Sequence, residues 1–242
     1  MIAARGSMRV SRTQPEFSPL VAVLAWLAAF VAAAVGQSII VTATGYADIK
    51  ARDWPLWLQA ATLAPLWVAL IAAMIVVSRL RGTGRVRRDY GLVVRPIDAV
   101  VGFPAGVLTQ MVFVPLLYVP VQWIFGKLDI DRPAKDLTNT AKGFGITLLV
   151  VLVVVGAPII EELFFRGLVL RSFQARVNDG LALLVSATLF GLAHFQPLQL
   201  PGLILFGLVA GYLAQRTGRI GASIFAHAGF NAYTVAVLLA RR

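Results

Sequence analysis

Seven apolar runs, separated by short polar or basic connections, organise the chain. Residues 20–41 and 56–77 are nearly continuous, and 100–125 is interrupted by Pro104, Pro115 and Pro120. A fourth run, 143–160, keeps helical character through Glu161 toward Arg176, and 181–195, 198–214 and 220–240 follow. A bilayer core about 30 Å thick takes about 17–25 apolar residues per helix, so most runs are long enough to span it. The fifth and sixth lie at or below that limit and are expected inside a bundle or extended at their ends. Prolines within a span are tolerated where neighbouring helices satisfy the freed carbonyls. The pattern predicts an all-α fold, a polytopic transmembrane helical bundle of about seven spans within a range of six to eight. We expect one transmembrane domain over residues 20–240 behind an N-terminal segment, 1–19. Neither an internal repeat nor a soluble domain interrupts the pattern, and the polar stretch 126–142 is too short to fold alone. The first run exceeds the roughly 7–15 apolar residues of a secretion signal, so a retained helix is expected.

Composition agrees. Hydrophobic side chains make up 59% of 242 residues and charged ones 14%, with a mean hydropathy of +0.81, against about 45–50% and about 25% in soluble domains. Disorder is excluded by the same figures. Cysteine is absent, which removes disulfides, cysteine-ligated zinc and thiol catalysis. The net charge of +11 comes from 22 Lys+Arg against 11 Asp+Glu. No soluble domain is left to carry nucleic acid, and none is expected as a partner. The arginines instead read as a topology signal, since basic residues in short loops favour the cytoplasmic side. Arg5, Arg9, Arg12, the stretch Arg79 to Arg95, Arg171, Arg176, Arg216 and Arg219 fall on one side if the N-terminus is cytoplasmic, thirteen basic residues in all. The other side collects eight, partly balanced by Asp48, Asp53, Asp129, Asp131 and Asp136. We therefore expect an integral protein of the plasma (inner) membrane, N-terminus cytoplasmic, embedded among membrane lipids.

Ionisable groups inside a span cost about 2.5–3.5 kcal/mol each on insertion scales and are functional candidates by default. Here they cluster. Glu161, Glu162 and Arg166 stand among bulky apolar residues. Glu162 and Arg166 are i,i+4 neighbours that can pair, while Glu161 lies about 100° around the helix without that partner. The only two histidines, His194 and His227, both fall in apolar runs, and Asn231 shares a helical face with His227. Depth supports their convergence. Glu161 stands 15 residues from Arg176 and His194 15 from Asp179, each about 22 Å at 1.5 Å per residue. His227 is 8 residues past Arg219, about 12 Å. The arithmetic requires a long fourth helix, kinked at most near Gly156, Ala157 and Pro158.

Glu-Glu-x-x-x-Arg, then Phe-x-x-x-His, then His-x-x-x-Asn, in that order on late helices, resembles the CPBP intramembrane proteases. This family holds type II CAAX prenyl endopeptidases and bacteriocin-processing or immunity-related proteins, formerly the Abi family. The matching residues are Glu161, Glu162, Arg166, Phe190, His194, His227 and Asn231, and the resemblance covers about residues 140–240. It implies an endopeptidase cutting near the cytoplasmic side, with its catalytic core in that segment. Peptide hydrolysis needs an activated water and a stabilised oxyanion. Glu161 is the candidate base assisted by His194, His227 and Asn231 suit donors to the oxyanion, and Glu162 and Arg166 support Glu161, with Phe190 beside them. A zinc site from Glu161, His194 and His227 remains the alternative, but no His-Glu-x-x-His pattern occurs, and water activation without a cofactor is favoured. The implied partner is a peptide or protein substrate, lipid-modified or not. Two rival readings are a non-catalytic immunity or assembly protein on the same scaffold and a proton-coupled transporter.

Other features read as structure. Gly102 with Gly106 and Gly207 with Gly211 are small-x-x-x-small pairs for close helix approach. Trp54, Trp57 and Trp123 suit an interfacial belt, and Asp179 suits a helix N-cap. Ser186, Thr188 and Ser223 lack an evident base.

Overall fold

The computed structural model describes residues 17–242. Arg5, Arg9, Arg12 and most of the N-terminal segment lie outside the described residues. We label the helices α1 (Pro19–Ala43), α2 (Leu56–Arg81), α3 (Val86–Asp89), α4 (Pro96–Phe125), α5 (Arg132–Thr140), α6 (Phe144–Gln174), α7 (Asp179–Leu192), α8 (Leu200–Thr217) and α9 (Gly221–Ala240). No strand occurs among the described residues. Each of the seven apolar runs forms a helix, the fifth only as far as Leu192. Five of them, α1, α2, α4, α6 and α9, are long and apolar enough to cross a membrane, whereas α7 has 14 residues. The fold is an all-α polytopic bundle.

Two long helices each carry a widened turn just ahead of one of their prolines. A proline lacks the N–H for the previous turn and crowds the carbonyl four residues back. In α4 a π-helical turn, Thr109–Phe113, directly precedes the segment that holds Pro115. In α6 another, Val151–Gly156, directly precedes the segment that holds Pro158. The extra residue per turn moves the crowded carbonyl aside and re-aims the side chains that follow. A third π-helical stretch, Leu163–Leu170, follows the Glu161–Glu162 pair. The fourth helix is thus continuous through the acidic pair, as the depth arithmetic requires.

Glycines set the closest helix contact. On α4, Gly102 meets the Ala222 carbonyl and Gly106 the Ala226 carbonyl of α9, where a Cβ would collide with backbone. Gly229 of α9 likewise lies against the Phe103 backbone. Gly207 and Gly211 of α8 lie against Ala187 and Leu183 of α7. Both small-residue pairs therefore do what their spacing predicts. Asn178, not Asp179, caps α7: its side chain accepts the Leu181 N–H at 2.9 Å, and Asp179 is the first helical residue. Only the residue before the first turn has the extended backbone that aims a side chain at those N–H groups. Asp179 accepts from Gln174 at 2.7 Å instead.

Described arginine-rich connections meet at one end of the bundle. Asp98 at the start of α4 takes two hydrogen bonds from Arg219, at 2.5 and 3.1 Å, and that pairing raises the Arg219 pKa. Arg171 donates to Gly218 O at 2.9 Å, and the Ile220 N–H donates to Gly91 O at 3.1 Å. Tyr90, whose phenol is pushed above its usual pKa by burial and by nearby Asp89, donates to Met74 O at 2.6 Å. The opposite end holds α5, tied down by Gln199 on Ile130 O and Arg242 on Ala141 O. Trp57 and Trp123 are exposed at that end, and Trp54 donates to Ile49 O.

Gly106→Leu is expected to destabilise the fold by about 1–3 kcal/mol or more, because the new side chain has no void to enter on α9. Thermal unfolding in detergent checks this against Gly180→Ala at the exposed start of α7, where loss or a gain of no more than about 1 kcal/mol is expected.

Candidate active site

Charge burial builds the centre of the bundle. Glu162 and Arg166 lie on the inward face of α6 with no solvent exposure, joined through Oε1 and Nη1 at 2.9 Å. A charge buried among hydrophobic helices is tolerated only when paired and hydrogen-bonded. Arg166 meets that demand further by donating to Gly207 O on α8 at 3.1 Å and by stacking over the Phe190 ring, 4.5 Å from its centroid. His227 of α9 adds a second donor to the same carboxylate oxygen, Nδ1 to Oε1 at 2.9 Å. The His227 ring is walled by Phe190 and Phe206, at 5.6 and 4.9 Å between centroids. Thus α6, α7, α8 and α9 meet on one ion group, and Phe190 is packed between the arginine and the histidine.

Glu161 is turned elsewhere. Its side chain is 19% exposed, and its Oε2 has no hydrogen-bond partner among the described residues. Facing it is His194, whose Nε2 stands 3.9 Å from that oxygen, beyond direct hydrogen-bond range. The other ring nitrogen, Nδ1, donates to Phe190 O at 2.8 Å, since a carbonyl only accepts. Nε2 is then left with its lone pair toward Glu161 while the ring is neutral. His194 does not lie within α7, as the fifth apolar run suggests, but in the turn just past Leu192. Phe195 follows with φ +52°, the non-glycine residue in the left-handed region among those described. The Nδ1 bond to Phe190 O holds the ring with its Nε2 toward Glu161 on α6.

Asn231, one turn beyond His227, donates its side-chain N–H to Val153 O at 2.8 Å. Val153 belongs to the widened turn of α6 ahead of Pro158, where backbone carbonyls lose helical partners. One hydrogen of the Asn231 amide is spent there and the second remains.

Glu161, His194, His227 and Asn231 all line a cavity of about 360 Å³. Its walls include Trp67, Val114, Leu203 and Phe206, and its polar lining also includes Gln110, Gln196 and Gln199. None of these three glutamines stands out in the sequence, because a lone glutamine beside an apolar run carries no motif. From the mid-bundle level of Glu161 the cavity extends to Ile130, Asp131 and Thr138 around α5, at the end opposite the arginine-rich connections. A site near the arginine-rich face was expected. Counting residues from helix ends gives the depth of each group but not the direction in which the space between helices opens.

The three candidate zinc ligands do not form a ligand set. Among the described residues no three His, Cys, Asp or Glu side chains come together to hold a metal ion, because His227 is turned by its Nδ1 onto Glu162 and not Glu161. Ser186 and Ser223 donate to Phe165 O and Ala210 O, at 3.1 and 2.7 Å, so neither hydroxyl is poised as a nucleophile.

Residues 143–233 match the family model described as "Rce1-like: Type II CAAX prenyl endopeptidase Rce1-like". The chain is also 30% identical, over 94 residues, to a Bacillus subtilis (strain 168) protein named "Putative membrane peptidase YdiL". That alignment covers 39% of this chain and 38% of the relative, so the chain spans well under half the length of that protein. No solved structure matches the chain.

Arg166→Met is expected to lower stability by about 3–5 kcal/mol by leaving the Glu162 carboxylate buried with His227 alone. Arg166→Lys should recover part of the loss, since a lysine keeps the charge but not the fork that reaches both Glu162 and Gly207. Thermal unfolding of the purified variants in detergent measures both.

Proposed function

Starting from residues 143–233 as a CPBP-family segment, we propose that this protein is an intramembrane endopeptidase in which Glu161 and His194 activate the attacking water. The pairing of Glu161 with His194 carries the reading: an unpartnered carboxylate oxygen and an imidazole lone pair face each other across 3.9 Å inside a cavity. A water oxygen fits within hydrogen-bond distance of both. Glu161 takes its proton as the oxygen attacks the peptide carbonyl carbon. The carbonyl π bond opens to an oxyanion, which accepts hydrogen bonds from the free N–H of Asn231 and from His227 Nε2–H. Because His227 Nδ1–H is already on Glu162, an Nε2–H donor requires the imidazolium, and the Glu162 carboxylate is its counter-charge. Donors fixed before reaction are worth more than donors that must reorganise. When the intermediate collapses, the C–N bond breaks and the proton held by Glu161 passes to the departing amine nitrogen.

No metal is required by this scheme, and no step is routed through one. The substrate is a peptide or protein segment whose apolar part suits the cavity walls. With the N-terminus cytoplasmic, as the arginine bias favours, the cavity extends toward the opposite face, and the peptide bond is cut at the mid-membrane level of Glu161. Membrane lipids surround the bundle, and nothing in the cavity selects a lipid modification.

Glu161→Gln is expected to lower hydrolysis of a pool of internally quenched peptides by about 10²–10⁴-fold while leaving the thermal midpoint unchanged, since Glu161 Oε2 holds no structural partner. Unchanged turnover would refute the role of Glu161, and an unchanged cellular phenotype would favour a non-catalytic scaffold. Metal analysis of the same preparation is expected to show no stoichiometric zinc, and chelators no loss of activity. Bound zinc whose removal abolishes turnover would overturn the metal-free mechanism.

A further inference from the structure

Gln110 is a polar group of the cavity that neither the fold nor the proposed chemistry uses. Its Oε1 is buried without a hydrogen-bond partner, and its side chain lines the same space as Glu161, His227 and Asn231. An amide left unsatisfied in an apolar helix is costly, and a leucine or methionine there would fill the same space without that cost.

The placement is fixed by backbone contacts. Gly102, Gly106 and Gln110 follow one another at intervals of four on α4. The first two lie on α9 at Ala222 and Ala226, and Gly106 also approaches the Phe230 N–H. The two helices advance together, so the next α4 turn brings Gln110 beside the turn of α9 that carries His227 and Asn231. There a bulky polar residue replaces the glycine and the helices part around the cavity. Gln110 also sits in the π-helical turn Thr109–Phe113, which re-aims side chains relative to a regular helix.

Resting on the protease reading above, we infer that Gln110 binds the substrate backbone, its amide hydrogen-bonding to the peptide next to the scissile bond. A primary amide offers one acceptor and one donor side by side, which matches the C=O and N–H of a peptide strand. It carries no charge and cannot take the proton of water at neutral pH, so it holds the peptide and leaves the proton transfer to Glu161. An apolar segment entering the cavity brings peptide groups that need partners away from water, and Gln110 supplies them beside the oxyanion donors.

Gln110→Met conserves volume and removes the amide. Hydrolysis of internally quenched peptides and of versions N-methylated at single backbone positions is measured for wild type and variant. Anisotropy of a fluorescein-labelled peptide is read in parallel on Glu161→Gln and on Glu161→Gln/Gln110→Met. The expected result is a KM and a Kd raised about tenfold, equivalent to about 1.4 kcal/mol, with kcat changed less than about threefold. One N-methyl position should reproduce that loss on wild type and cause no further loss on Gln110→Met, a signature that a packing role does not produce. If Gln110→Met lowers the thermal midpoint, the series is run on Gln110→Asn, which keeps but withdraws the amide, and the same convergence is expected. Equal KM, Kd and N-methyl sensitivity in wild type and variant overturn the inference and leave the protease reading intact. Binding without hydrolysis by wild type overturns the protease reading, and the Kd of the double variant then decides Gln110 alone. Absence of both binding and hydrolysis overturns both.

Discussion

One carboxylate oxygen organises this molecule. Glu162 Oε1 accepts from Arg166 on its own helix and from His227 on α9, and Arg166 continues to Gly207 of α8 while lying over Phe190 of α7. Removing two charges from water costs several kcal/mol per ion, and the contacts to Gly207, Phe190 and His227 offset that cost in part. Glu162 Oε2 and Arg166 Nε are left without a hydrogen-bond partner among the described residues. The four helices that satisfy this group therefore have little freedom to slide or rotate. A consequence follows for the residue before Glu162. With Glu162 committed to the interior, the next position back on the helix is turned about 100° away, and that direction is the cavity. The ion group thereby sets the aim of the Glu161 carboxylate into the cavity.

Backbone irregularities supply the remaining geometry. Pro158 and the widened turn before it expose the Val153 carbonyl that anchors Asn231. The turn past Leu192 carries His194, whose bond to Phe190 O leaves Nε2 facing Glu161. Glycines on α4 let it lie on the α9 backbone as far as Gln110, where the two helices separate and the space begins. Each device is a local departure from regular helix, and each places a polar group on the cavity wall. The polar groups consequently sit on structure already fixed by packing, which keeps the loss of freedom on binding small.

The sequence made much of this legible because membrane burial gives polar residues a high information content. In a chain with 59% hydrophobic residues, two histidines and a Glu-Glu-Arg cluster stand out, and their ordered spacing is specific. The i,i+4 relation of Glu162 to Arg166 and the glycine pairs were readable from helical geometry alone. His194 stood out in the sequence as a polar residue of an apolar run but not as part of a turn, since such a run does not mark where its helix stops. Asn178 and Asp179 are both acceptable caps, and only the backbone at the helix start distinguishes them. Gln110 and the two cavity glutamines near the mouth, Gln196 and Gln199, were silent, because a single polar residue acquires meaning only from what faces it.

The seven apolar helices and the continuity of α6 through the acidic pair were determined by the sequence itself, through run length, 3.6-residue periodicity and the cost of burying charge, whereas the short helices α3 and α5 were not. Tertiary structure alone decided which carboxylate takes His227, and in which half of the bundle the cavity lies. Those outcomes depend on the rotation and crossing of helices far apart in the chain. That relation is set by backbone-to-backbone contacts such as Gly106 against Ala226, and no period along one helix records it.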